Sequence, residues 1–276
     1  MQGVSRASLA AVREQLDSLL TGGSKKDAAE QRKVAEELFA VVGLLEANPR
    51  LRRMLSDPAV HGDRRAQLAA DVLGGSSLSD ASKEIVEALV RSSWSRPADL
   101  VDAADQMAAQ ALFAGAEHAD ALDEVEDELF RFARILDRES SLRSALTDPS
   151  LPAERKIKLL DALLDDRVQD ATRVLVRELA LHPRGRTIDR GLEEYARVAA
   201  ARRERLVARV RTVVPLTDAQ MTRLGSALAE RLGHEVHLNV ELDPDLIGGL
   251  TVRVGDILFD GSIAHRLALA RQVMTS

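Results

Sequence analysis

The sequence contains no cysteine, which excludes disulfide bonds, thiol catalysis and cysteine-ligated zinc. Aromatic residues make up only 3% of the chain. No apolar run approaches the roughly 20 residues that a transmembrane helix needs, and the N-terminus has no uninterrupted apolar core of signal-peptide length. The phosphate-binding pattern G-x-x-x-x-G-K-S/T is also missing. We therefore expect no membrane span, and other chains would have to hold the protein at any membrane.

The remaining composition is typical of a helical, globular protein. The 276 residues are enough for two or three domains, and the apolar content of 45% is enough to form their cores. Alanine and leucine dominate, which favours helices. A formal net charge of −6 argues against a dedicated nucleic-acid binder. His234 and His237 have no third ligand at a suitable spacing, so we interpret them as a surface pair and predict no metal or other cofactor.

The first 205 residues read as amphipathic helices in two similar series. When the chain is shifted by 91 residues, and by 90 after a one-residue gap in the loop at Gly74, residues of several types coincide in one register. The coincident residues are Glu37 with Glu128, Phe39 with Phe130, Asp57-Pro58 with Asp148-Pro149, and Arg96 with Arg186. Periodicity alone would align only apolar positions, so we predict an internal duplication, with one helical bundle at residues 1–105 and a second at 106–205.

The pattern changes to a mixture of strands and helices from about Leu206. Alternating apolar residues predict strands near Val210, from Val236 to Leu242, and around Val252. The segment 257–259 is predicted to be the returning strand of a hairpin. Between the first two lies a helix that begins at a Thr217–Gln220 capping box. A final helix should follow residue 262. The predicted fold is therefore mainly α with a small α/β C-terminal domain, in which two tandem helical bundles precede a β-α-β-β-β-α unit at residues 206–276.

Two glycine-containing motifs lie within residues 243–262 of this last region, D-P-D-L-I-G-G and G-D-I-L-F-D-G-S. Paired glycines permit positive φ, and Gly255-Asp256 fits a two-residue hairpin turn. The residues that we assign to the motifs are Asp243, Pro244, Ile247, Gly248, Gly249, Gly255, Asp256, Asp260, Gly261 and Ser262. This stretch closely resembles the C-terminal signature of the delta subunit of F-type ATP synthases, which is called the oligomycin-sensitivity-conferring protein in mitochondria. The doubled helical region resembles the actinobacterial form of that family.

The resemblance implies a non-catalytic subunit of the peripheral stalk, or stator, of the proton-transporting ATP synthase. It implies that the helical bundle receives N-terminal helices of alpha subunits in an apolar groove, and that the C-terminal domain contacts the b-subunit stalk. The beta subunit is a further candidate partner. The chain would couple proton-driven rotation to ATP synthesis at the cytoplasmic face of the cell membrane, where other subunits hold it. The candidate residues are Leu9, Val12, Leu16 and Leu19 for the alpha-subunit helix, and Arg202, Arg203 and Arg205 for the b subunit.

Two other functions fit the residues without the resemblance. The protein could be a helical scaffold of another multi-subunit complex, or an enzyme with an unrecognised site. The arginines before residue 206 could equally form a solvated helix face, and nucleic-acid binding there is disfavoured because no aromatic residues are interleaved with them. Turnover of ATP by the isolated chain would favour the enzyme.

Overall fold

The computed structural model describes residues 3–21, 28–73, 78–164, 167–205, 207–232, 236–243, 246, 248–255 and 257–260. The chain divides into two compact units, Met1–Ala199 and Ala200–Ser276, here called the helical unit and the C-terminal unit. No helix within the described ranges combines the length and apolarity needed to cross a bilayer.

Helices account for nearly all of the described residues before the first strand. They are α1 (Gly3–Thr21), α2 (Ala28–Ala47), α3 (Pro49–Ser56), α4 (Gly62–Leu73), α5 (Asp80–Arg91), α6 (Pro97–His118), α7 (Leu122–Arg138), α8 (Ser140–Thr147), α9 (Ala153–Leu164), α10 (Asp170–Leu181) and α11 (Ile188–Arg205). Pro49 and Pro97 occupy the first helical position of their helices, where the missing N–H costs nothing. The mainly α prediction is confirmed.

The helix bounds repeat along the chain. Helices α8 and α9 begin and end 91 residues after α3 and α4, and α10 lies 90 residues after α5. The Asp-Pro turns also match, because Asp57 Oδ1 accepts a hydrogen bond from the N–H of Ala59 at 2.9 Å and Asp148 Oδ1 accepts one from Ser150 at 2.8 Å. The two Asp-Pro sequences, which the repeat register pairs, therefore lie at equivalent corners.

A half-buried carboxylate contact recurs in the same register. Glu37 accepts hydrogen bonds from the N–H and the hydroxyl of Ser79, at 2.9 and 2.6 Å, at the start of α5. Glu128 accepts them from the N–H of Gln169 and the hydroxyl of Thr172, at 2.9 and 2.6 Å, at the start of α10. Each glutamate therefore satisfies N–H and hydroxyl donors at a helix N-terminus that would otherwise lack partners.

Helix α6 lies at the centre of the helical unit. Nearly every side chain from Leu100 to Ala116 is buried, and α6 packs most extensively against α2. Its many alanines allow this close approach, and a Cβ at Gly115 would lie 3.3 Å from Gln31 Oε1. The predicted boundary between residues 105 and 106 falls inside this helix. The division into residues 1–105 and 106–205 therefore remains a prediction.

The C-terminal unit contains a four-stranded sheet with the order β2-β1-β3-β4. Its elements are β1 (Val207–Thr212), α12 (Asp218–Leu232), β2 (His237–Leu242), β3 (Leu250–Val254) and β4 (Ile257–Asp260). Strand β1 pairs in parallel with β2 and antiparallel with β3, and β3 pairs antiparallel with β4. The core comprises Ala208, Val210, Leu228, Val252 and Val254, with α12 covering one face of the sheet. The predicted β-α-β-β-β order is confirmed, and the predicted final helix lies outside the described residues.

Candidate partner-binding surfaces

The glycine motifs shape the backbone of the C-terminal unit. Gly248 and Gly249 have φ of 90° and 82°, values that side-chain-bearing residues rarely adopt. Gly255, at φ 55°, lies in the two-residue turn between the paired residues Val254 and Ile257. These three positions favour glycine because of their backbone conformation.

Two acidic residues of these motifs are described, Asp243 and Asp260. Asp243 is 8% exposed, its N–H donates to the carbonyl of Thr212 at 2.8 Å, and its carboxylate contacts the guanidinium of Arg211. Asp260 ends β4 opposite Thr251. The other motif residues, Pro244, Ile247, Asp256, Gly261 and Ser262, lie outside the described residues.

The apolar stripe predicted on α1 is largely used within the helical unit. Val12 and Leu16 are 2% and 0% exposed, whereas Leu9 and Leu19 are half-buried. Helix α1 packs against α5 and α6, and Ser5 fixes its first turn by donating to the buried Asp99 carboxylate at 2.8 Å. Val12 and Leu16 therefore position α1, while Leu9 and Leu19 keep part of their surface accessible.

A cleft lies beside the end of α1. It has a volume of about 410 Å³ and is formed by residues from α1, α2 and the start of α5. Its lining residues are Leu20, Glu30, Lys33, Val34, Ser79, Asp80 and Ala81. We call this the α1–α5 cleft. Leu20, Val34 and Ala81 are its apolar residues, and Glu30, Lys33 and Asp80 are its charged ones.

The three arginines predicted to bind the stalk differ in accessibility. Arg202 is 4% exposed, and Arg203 is exposed at the end of α11. The side chain of Arg205 lies outside the described residues. The structure therefore does not bring the three together as one exposed basic surface. Two further arginines, Arg209 and Arg211, are exposed on β1.

A buried charged cluster in the helical unit was not predicted from the sequence. Asp105 of α6 is 2% exposed and contacts the guanidinium of Arg184. It also lies 3.1 Å from Arg186 Nη2 and accepts a hydrogen bond from the Tyr195 hydroxyl at 2.7 Å. Arg184 adopts φ 54°, an uncommon conformation for a residue with a side chain. The cluster ties α6 to the α10–α11 turn, and thus joins the two helical series.

Burial controls the ionisation of two acidic groups in this cluster. Desolvation raises the pKa of Asp105 to about 6, although Arg186 and the Tyr195 hydroxyl favour its charged form. Desolvation also raises the pKa of Glu178, on α10, to about 7, with further repulsion from Asp105 and Glu46. Both carboxyl groups therefore take up protons more readily in the folded chain than in the unfolded chain.

A Glu178→Gln variant should reduce the pH dependence of stability. The pKa of Glu178 is about 7 when folded and 4.5 in its reference state. The contribution of Glu178 to folding stability is therefore complete below pH 4.5 and is lost as the pH rises through 7. We expect the free energy of unfolding at pH 8 to be about 1–2 kcal/mol greater for the variant than for the parent, after allowance for partial exposure. Urea unfolding between pH 5 and 8 measures this difference. Glu84→Gln, at an exposed position of α5, is the control, and an equal change in both variants would contradict the assignment.

The described residues contain no group of three or more histidine, aspartate or glutamate side chains that could hold a metal ion. The α1–α5 cleft on the helical unit and the exposed arginines of β1 on the C-terminal unit are the features that lie at or near the predicted partner-binding residues.

Comparison with known proteins identifies the family. A family model described as "ATP synthase delta (OSCP) subunit" matches residues 104–274. The chain is 45% identical to "ATP synthase subunit delta" of Acidothermus cellulolyticus over 276 residues, which cover 100% of both chains. The chain belongs to the ATP synthase delta (OSCP) subunit family. The proteins of the same name from Streptomyces griseus and Thermobifida fusca are 45% and 44% identical, with coverage of 98–99%.

The family model covers only part of the chain, whereas the relatives align with all of it. The match to the family model begins at residue 104, inside α6, so α1 to α5 precede the matched region. The actinobacterial relatives nevertheless align over the full length. The resemblance stated from the C-terminal motifs is confirmed. A chain of the Toxoplasma gondii mitochondrial ATP synthase hexamer is also similar, with 22% identity over 61% of this chain and 95% of that chain, but its TM-score of 0.33 is too low to inform the fold.

Proposed function

We propose that this chain is a non-catalytic subunit of the peripheral stalk of an F-type ATP synthase. It links the catalytic head to the b-subunit stalk, so that proton-driven rotation is coupled to ATP synthesis. The observation that carries the proposal is the full-length similarity to proteins named ATP synthase subunit delta. The presence of two compact units in one chain supports a connector that contacts a different partner with each.

The helical unit would bind the head. We propose that an N-terminal helix of an alpha subunit enters the α1–α5 cleft and extends along the accessible edges of Leu9 and Leu19. Val12 and Leu16 would contribute by holding α1 against α5 and α6. The apolar residues among the lining of the cleft support this helix-in-groove mode. The second helical series would provide an equivalent site or a contact with a beta subunit.

The C-terminal unit would bind the stalk. Its charge supports this role, because residues 200–276 carry ten arginines against nine acidic residues, whereas the whole chain has a net charge of −6. Arg203, exposed at the end of α11, would contact the b subunit. The protein would be held at the cytoplasmic face of the membrane through these partners.

Removal of the chain from the assembled enzyme tests this proposal. Inverted membrane vesicles from cells that lack the chain should hydrolyse ATP with little or no acidification of the vesicle interior, because the stator no longer resists rotor torque. Addition of the purified chain should restore ATP-driven acidification. Normal acidification without the chain would contradict the proposal and favour a scaffold of another complex.

A further inference from the structure

The open face of the C-terminal sheet carries arginines in an unusual arrangement. Arg209 on β1 lies directly opposite Arg253 on the antiparallel strand β3, and both are exposed. Opposed residues on adjacent strands have Cβ atoms about 4.5–5.5 Å apart, and like charges at that distance destabilise a sheet. Within the described part of the chain, neither arginine has an acidic partner. The described residues therefore leave this repulsive pair unneutralised.

The pair belongs to a row that crosses all four strands. In register, the row runs from Asn239 on β2 through Arg209 and Arg253 to Leu258 on β4, and each of the four side chains is exposed. The core residues Ala208, Val210, Val252 and Val254 alternate with the arginines along β1 and β3, so the row lies on the face opposite α12. With strands about 4.8 Å apart, the row is about 14 Å wide, comparable with the 10–12 Å diameter of one helix.

The neighbouring row of the same face contains two acidic residues and one arginine. It runs from Glu241 through Arg211 and Thr251 to Asp260. Arg211 is already neutralised by its contact with Asp243. Excess positive charge is therefore confined to the Arg209–Arg253 row, with an exposed apolar residue, Leu258, at its end.

We infer that the Arg209–Arg253 row is a docking surface for an acidic helix of the stalk subunit, whose carboxylates neutralise the two arginines and whose apolar residue covers Leu258. This inference rests on the proposed function, and it defines the surface and the chemistry of the partner. A flat row with an apolar end fits a helix better than a small anion, which would need an enclosed site. The last 16 residues of the chain carry two arginines and no acidic side chain, so they do not complement the row.

Paired charge variants of the full-length chain separate binding from stability. In Arg209→Gln/Arg253→Gln both charges are removed, so affinity for the soluble part of the b-type subunit should fall about 10–100-fold. The same variant should melt roughly 1–5 °C higher in the C-terminal unit, because the repulsion is gone. In Arg209→Glu/Arg253→Glu the repulsion persists, so affinity should fall further without a gain in melting temperature. The parent's affinity should weaken with added salt more steeply than that of the Gln variant.

The control is Arg223→Glu, which changes an exposed arginine on α12 at the other side of the sheet and should leave affinity unchanged. If the parent binds the stalk and the Gln and Glu variants bind equally well, the inference is wrong while the proposed function stands. If the parent does not bind the stalk at all, the proposed function itself fails and the inference with it. Loss of binding to phosphatidylglycerol vesicles, with stalk binding retained, would assign the row to a membrane surface and overturn the inference.

Discussion

An Asp105→Ala protein should lose about 3–5 kcal/mol of unfolding free energy in the helical unit. Asp105 is the carboxylate that Arg184, Arg186 and Tyr195 share inside the structure. Its removal leaves guanidinium groups that are 6% and 16% exposed without their common partner, and leaves the Tyr195 hydroxyl without an acceptor. Buried charges that lose a partner keep the full cost of desolvation. Chemical denaturation, followed by far-ultraviolet circular dichroism, measures the loss.

The control for this variant is Asp63→Ala. Asp63 forms an ion pair with Arg91 at 3.2 Å, but its side chain is 64% exposed. An exposed pair contributes about 0–1 kcal/mol, so this variant should remain close to the parent. If Asp105→Ala were as stable as Asp63→Ala, the cluster would not be what joins the two helical series.

A Gly249→Ala protein should show the second large effect, about 1–2 kcal/mol of destabilisation confined to the C-terminal unit. The backbone at Gly249 has φ 82°, and a Cβ there opposes the following carbonyl. A unit of this size has little stability in reserve. We expect its thermal transition to move to lower temperature while the transition of the helical unit stays in place, which calorimetry can resolve.

A glycine-to-alanine substitution at another position of the C-terminal unit should stabilise it instead. Gly225 lies in α12, where an added Cβ would be 4.0 Å from Leu238 Cδ1, an ordinary contact. Gly225→Ala should therefore stabilise the unit by up to about 1 kcal/mol, since alanine favours helix over glycine. Equal effects of the two substitutions would show that backbone conformation at Gly249 is not the cause.

Elements with a strong local pattern could be predicted from the sequence. The repeat register placed both Asp-Pro corners correctly, because Asp and Pro fix turn geometry through their own backbone and side chain. The alternation around Val210 and Val252 located β1 and β3, and the glycine pair predicted positive φ. These features depend on residues close together in the chain.

Features that depend on distant packing could not be predicted. The four leucine and valine positions of α1 share one stripe, yet only the fold determines that Val12 and Leu16 are the buried ones. The Asp105 cluster joins residues about 80–90 positions apart. Its only signals in the sequence were the isolated Tyr195 and the match of Arg186 to Arg96 in the repeat. The Arg209–Arg253 row required the strand register.

The central claim is that one chain holds the head and the stalk at the same time, and a ternary-complex titration tests it most directly. The full-length chain is first saturated with a peptide of the alpha-subunit N-terminal helix, and the soluble part of the b-type subunit is then titrated into it by calorimetry. The claim predicts a 1:1 complex with the b subunit whose affinity is the same with and without the peptide. Displacement of the peptide by the b subunit, or failure of either partner to bind, would contradict it.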